Sequence, residues 1–156
     1  MSVYSDLKNR CLKSNMEIKL NRLAIYTFGN VSIIDRKRKV IAIKPSGIPY
    51  DSLTEDKIVI LDLLGNIIEG DKRPSSDTKT HLYLYNAWKN INSICHTHST
   101  YAVGWSQSLH SIPVLGTTHA DHLTREIPCT QPMEDSLIKG NYEVNTGVQI
   151  VNYFLE

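Results

Sequence analysis

The sequence predicts a mixed α/β domain, and three observations carry the prediction. Short β-branched runs come in pairs around turns, residues 31–34 with 40–43 and residues 58–62 with 66–69, as β-hairpins do. Apolar residues recur at helical spacing near both ends, at Leu7, Cys11 and 14–18, and again at Val144, Val148, Val151 and Leu155. The 156 residues are 41% apolar and 21% charged, which fits one domain with a real core.

Taken in order, residues 5 to about 20 read as a helix. Residues 24–28 look like a short strand running into Gly29-Asn30. The first hairpin encloses Arg36-Lys37-Arg38-Lys39, the only basic cluster, which reads as a solvated turn. Its second strand ends at Lys44-Pro45-Ser46-Gly47, a turn set by proline and glycine. The second hairpin turns at Leu64-Gly65, and Lys72-Arg73-Pro74-Ser75-Ser76-Asp77 is a polar loop. A helix from about 78 to 89 should bury Leu84, Tyr85 and Trp88. A strand through His96 and His98 comes next, then a short helix over 101–108 with Gly104 inside it. Residues 112–115 are expected as a strand, 117–122 as a loop, and 126–130 as a short strand with the edge-type Pro128. A helix from Glu143 runs to the end. It stops at Glu156 without a C-capping glycine, so the reading expects a chain cut inside an amphipathic helix.

Several function classes are excluded early. A formal charge of +1 provides no field toward nucleic acid or an acidic membrane. No run of about 18 apolar residues is present to span a membrane, and the N-terminus lacks the apolar core of a signal peptide. Cys11, Cys95 and Cys129 are scattered, odd in number and without a Cys-x-x-Cys, which suits reduced thiols in the cytoplasm.

Three groups of residues carry chemistry. In Ser93-Ile94-Cys95-His96-Thr97-His98-Ser99-Thr100, a strand would send His96 and His98 to one face, where they can share a metal ion. Two ordinary histidines on a half-buried strand are the competing reading. A catalytic zinc takes about three protein ligands, so a third must come from elsewhere. Asp77 is the best upstream candidate, although an Asp before a helix is more often an N-cap, and position alone favours the cap.

The second group is the small polar turns Gly29-Asn30, Ser46-Gly47 and Ser75-Ser76, at strand ends or a helix start. Such turns bind phosphate through backbone N–H groups and hydroxyls, and Lys44 adds a full charge. Plain turn chemistry explains them equally well. Neither a Walker pattern nor Gly-x-Gly-x-x-Gly occurs. The third group is Thr117-Thr118-His119-Ala120-Asp121-His122, where an Asp in a cleft can move a proton; read alone, it is an exposed loop.

Taken together, Thr27-Phe28-Gly29-Asn30-Val31-Ser32, Ile43-Lys44-Pro45-Ser46-Gly47, Pro74-Ser75-Ser76-Asp77-Thr78, His96-Thr97-His98-Ser99 and Gly116-Thr117-Thr118-His119-Ala120-Asp121 occur in one order at consistent spacing. This closely resembles the class II aldolase family from about Leu7 to Tyr153, roughly the first two thirds of a member. Asp77 and the Thr-Thr-His-Ala-Asp stretch point to its L-ribulose-5-phosphate 4-epimerase branch over the fuculose-phosphate aldolase branch. The resemblance implies a three-layer α/β/α sandwich on a mostly antiparallel mixed sheet, as a single domain over 1–156 that is incomplete at its C-terminus. It implies one Zn2+ per subunit on Asp77, His96 and His98, with a further histidine beyond this chain. It implies a phosphorylated ketopentose whose phosphate is held by Gly29, Asn30, Ser46, Gly47, Ser75 and Ser76 beside Lys44. It also implies a homotetramer in which Asp121 is an acid/base group reaching a neighbouring subunit's site. The expected reaction is C4 epimerisation of L-ribulose 5-phosphate to D-xylulose 5-phosphate by retro-aldol cleavage and re-addition. Two alternatives are an aldolase of the same fold and a non-catalytic remnant of an epimerase gene.

Overall fold

The N-terminal helix α1 (Ser5–Leu20) forms where its apolar spacing places it. It buries Leu7, Lys8, Cys11, Asn15 and Ile18, steps of three and four that make one stripe. Two of these are polar, and each has a partner. Lys8 reaches Glu69 at 2.6 Å. Asn15 satisfies both backbone groups of Val31, accepting from its N–H at 2.8 Å and donating to its C=O at 3.0 Å. A single amide thus clamps the helix to the first strand. The structure is a computed structural model and describes residues 2–154. Leu155 and Glu156, expected to continue the last helix, lie outside the described residues.

Both hairpins form. Strands β1 (Asn30–Asp35), β2 (Val40–Ile43), β3 (Val59–Asp62), β4 (Ile67–Glu69) and β5 (Ser93–His96) make one sheet in the order β4-β3-β2-β1-β5. All four pairings are antiparallel. Alternate residues feed two separate cores. Val31, Ile33, Val40, Ala42, Ile58 and Ile60 pack on α1. Ile34, Ile41, Ile43, Val59 and Leu61 pack on Leu82 and Tyr85 of α2 (Thr78–Ala87). A sheet buried on both faces reads as near-continuous apolar runs, which is why Val40-Ile41-Ala42-Ile43 carries no polar alternation. Helices on both faces give the expected α/β/α layering, with every pairing antiparallel.

The remaining helices are α3 (Thr100–Gln107), α4 (Thr117–Ala120), α5 (Asp135–Ile138) and α6 (Tyr142–Tyr153). The last packs back on α2, where Gly147 allows close approach. A Cβ there would meet the Tyr83 side chain at 3.0 Å.

Several expectations are corrected. Residues 24–28 are turns, not a strand, because local bonds take their backbone, as in Phe28 N–H to Ile25 O at 3.1 Å. The strands expected at 112–115 and 126–130 shrink to one bridge between Ile112 and Ile127. Pro113 and Pro128 follow those two residues directly, and neither has an N–H to extend a ladder. Residues 117–120 form a helical turn rather than a loop, and α5 was not expected. Helix α2 ends at Ala87, and Trp88 is only half-buried. The basic turn is not wholly solvated, since Arg36 turns inward. Its guanidinium donates to Tyr85 O, Trp88 O and Ile91 O at 3.3, 2.8 and 2.8 Å, closing the C-terminal end of α2.

Candidate active site

The two polar turns at 44–47 and 73–76 are zipped together. Ser46 N–H donates to Arg73 O at 2.9 Å, Ser75 N–H donates to Lys44 O at 3.1 Å, and Pro45 bridges Pro74. This sets Ser46 and Gly47 beside Ser75 and Ser76 at the N-terminus of α2, the end that carries partial positive charge. From the other side comes the loop ending in Gly29 and Asn30. Gly29 has φ +71, and a Cβ there would stand 2.9 Å from His96 O, so only glycine lets this loop lie against β5.

One cavity of about 380 Å³ opens among these turns. Gly29, Asn30, Lys44, Ser46 and Gly47 line one part of it. Ser75, Ser76, Asp77, His96 and His98 line the rest. All ten expected binding and metal residues therefore meet around a single space. Asp121 does not line it and stands exposed at the C-terminal end of α4.

Asp77 occupies the N-cap position of α2, but its side chain makes no capping bond. Its Oδ2 instead accepts from Asn30 Nδ2 at 2.6 Å and pairs with His96 Nδ1 at 2.7 Å. Burial pushes this carboxyl up, and the bond and charge of His96 with the bond from Asn30 outweigh it, holding the group at about 2. Asp77 is an anion at any ordinary pH. In a neutral imidazole, bonding to a carboxylate makes Nδ1 the donor and Nε2 the acceptor, the arrangement metal-binding histidines use. His98 lies beyond the end of β5, so strand alternation does not place it. Its backbone N–H bonds Leu23 O at 2.8 Å, and its ring stands 4.8 Å from that of His96. Burial, then the neighbouring His96, lowers the His98 imidazole below its usual value, which favours the neutral form a metal needs.

Two imidazoles and a carboxylate are the right donors for a divalent metal. Among the described residues, however, no three His, Cys, Asp or Glu groups are placed to hold a metal ion, and the Asp77 carboxylate is bonded to His96. The donor chemistry fits a cation, and Asp77 would have to swing from His96 to ligate it directly.

Reading the sequence alone missed parts of the site. Thr27, Phe28 and Pro45 also line the cavity, and Phe28 lies against His98 with ring centroids 5.2 Å apart. Thr27 and Phe28 sit within the quoted loop motif, which was the available signal. Behind the cavity, Ser32 Oγ lies 2.7 Å from His81 Nδ1 and 2.9 Å from Tyr85 OH, a buried polar chain under α2. Burial holds His81 down at about 4, so it is neutral there. Nothing in the local sequence marked that chain.

Comparisons agree with this architecture. The profile of the Class II Aldolase and Adducin N-terminal domain matches residues 9–153. An L-fuculose 1-phosphate aldolase structure is 27% identical with a TM-score of 0.75, over 95% of this chain and 69% of that one. The L-fuculose-1-phosphate aldolase of Thermus thermophilus is 20% identical with a TM-score of 0.72, over 94% of this chain and 72% of that one. That of Glaciozyma antarctica is 19% identical with a TM-score of 0.65, over 72% of this chain and 47% of that one, so this chain spans about half of its length. The last two likenesses speak to the fold.

Proposed function

The chain belongs to the Class II Aldolase and Adducin N-terminal domain family, and on that premise we propose that it serves a metal-dependent enzyme making and breaking a carbon–carbon bond in a phosphorylated sugar. The observation that carries this is the single cavity uniting the phosphate-type turns with the Asp77, His96 and His98 donors. The specific reading is L-ribulose-5-phosphate 4-epimerase, supported by Asp77 and by the Thr117-Thr118-His119-Ala120-Asp121 stretch.

The chemistry follows from the substrate. The C4–H of such a ketopentose is not acidic, so inversion there requires a bond to C4 to break, and the C2 carbonyl makes the C3–C4 bond the one that can. Asp77, His96 and His98 would hold the divalent cation, zinc. When bound, it supplies a Lewis acid for negative charge developing on the keto side. Ser46, Ser75 and Ser76, with Lys44 and the α2 N-terminus, hold the phosphate of the departing aldehyde. Retention matters because an unbound fragment diffuses away before its other face can be attacked. Asp121 of an adjoining subunit moves the C4 hydroxyl proton in a homotetramer. Asp121 lies away from its own cavity, which accords with such sharing. Among the described residues no helix is long and apolar enough to cross a membrane, and the three free thiols support work in the reducing cytoplasm.

A second reading, a sugar-phosphate aldolase releasing both fragments, is favoured by the L-fuculose 1-phosphate aldolase likeness at 27% identity. Product analysis separates the two. With zinc and L-ribulose 5-phosphate, an epimerase yields D-xylulose 5-phosphate with five carbons conserved. Accumulating glycolaldehyde phosphate supports the aldolase. Neither product, with no binding of inorganic phosphate, overturns both.

A further inference from the structure

Tyr50 lies outside the cavity lining, beneath the loop that forms one wall of it. It is 5% exposed and opens the helical turn Tyr50–Ser52. Its hydroxyl lies 2.9 Å from Phe28 O and 3.1 Å from Gly29 O, so its one proton is shared between two successive carbonyls. The preceding carbonyl, Thr27 O, accepts from Lys44 Nζ at 3.0 Å. That ammonium stands 4.9 Å from the centroid of the Tyr50 ring, within cation–π range. Three consecutive carbonyls are therefore drawn to one Tyr–Lys pair. The N–H of a trans peptide points opposite its carbonyl, so the Gly29 N–H is turned away from Tyr50, while the Asn30 N–H belongs to the ladder that pairs Asn30 with His96. A backbone N–H turned this way is a donor that an anion can take. Lys44 itself is buried, with its ammonium on Thr27 O and, at 3.4 Å, Pro45 O, and it has a third donor.

We propose that Tyr50 is a positioning residue for phosphate. Its hydroxyl fixes the Thr27–Asn30 loop, and its ring seats the Lys44 ammonium, so that loop and charge meet the anion together. The proposal rests on the reading of this cavity as a sugar-phosphate site. The hydroxyl and the ring contribute separately, so Tyr50→Phe frees the loop while keeping the ammonium seat, and Tyr50→Leu removes both.

The test titrates the full chain with inorganic phosphate by calorimetry and follows amide hydrogen exchange at residues 28–30. Expected for Tyr50→Phe is a cooperative melt like that of the parent, phosphate binding weakened at least fivefold, and exchange at Gly29 at least tenfold faster. Tyr50→Leu should weaken phosphate further than Tyr50→Phe does. Unchanged phosphate affinity in a folded Tyr50→Phe overturns the proposal, whatever happens to exchange. A general loss of stability with proportionate exchange throughout the sheet overturns it too, since that is a core role. In the parent protein, phosphate should slow exchange at Gly29, and no slowing at saturating phosphate counts against the loop as the contact. No phosphate binding by the parent sinks the cavity's functional reading and this inference with it. Binding by the parent and equally by both variants sinks this inference alone.

Discussion

Asp77 stands where a helix cap belongs, yet its carboxylate is turned 2.7 Å from His96 Nδ1 and makes no bond to the N-terminal amides of α2. The helix start is instead tied by Thr78, whose hydroxyl donates to Ser75 O at 2.6 Å. Backbone position and side-chain role are separate at this residue.

Asp77→Asn should therefore leave stability within about 1 kcal/mol of the parent, the scale of a lost cap, while sharply lowering the zinc retained after dialysis. His96→Asn should lower zinc and turnover together. Thermal melts with metal analysis check both. A large loss of stability in Asp77→Asn at unchanged zinc would make the residue structural.

Arg36 should matter more than a hairpin-turn residue. Arg36→Leu leaves three carbonyls without their donor, Tyr85 O, Trp88 O and Ile91 O. The expected cost is about 2 kcal/mol in urea unfolding. Arg36→Lys should recover little of it, because a point charge does not reproduce the planar fork.

The same substitution should have opposite effects in two helices. At Gly147 a methyl meets Tyr83 atoms at 3.0–3.1 Å, while at Gly104 nothing lies within 4 Å. Gly104→Ala should gain about 0.5–1 kcal/mol of helix propensity. Gly147→Ala should lose stability, by about 1 kcal/mol or more from overpacking. Paired denaturation curves measure the sign directly.

Glu69 gives a pH dependence. Hydrogen bonds from Lys8 and then Ser2, with the Lys8 charge, hold its carboxyl below the ordinary 4.5. A carboxyl lowered in the folded state contributes stability that is complete above its unfolded value and disappears as pH falls through the folded one. The urea midpoint of the parent should thus drop as pH goes below about 4.5, and Glu69→Gln should flatten that part of the curve.

The hairpins were legible because β-branched runs flank turn residues within a few positions, and the two long helices because period-3.6 burial leaves its mark locally. The misread segments, 24–28, 112–115 and 126–130, have strand-like composition but find almost no ladder partner, and strand pairing is a long-range property. Arg36 was misjudged for a related reason. A turn charge looks solvated until a helix end 49 to 55 positions later arrives beneath it.

The sequence by itself determined the continuous apolar runs that bury this sheet on both faces, the turn residues that end its strands, and the ordered motifs that fix its family. Tertiary structure decided which groups meet. It turned Asp77 away from capping and toward His96, brought His98 alongside without strand alternation, and stacked the 44–47 turn on the 73–76 turn. The physical reason is range. Local periodicity is set by the backbone geometry of neighbours, whereas a hydrogen bond or a shared cavity depends on residues that only folding brings within a few ångströms.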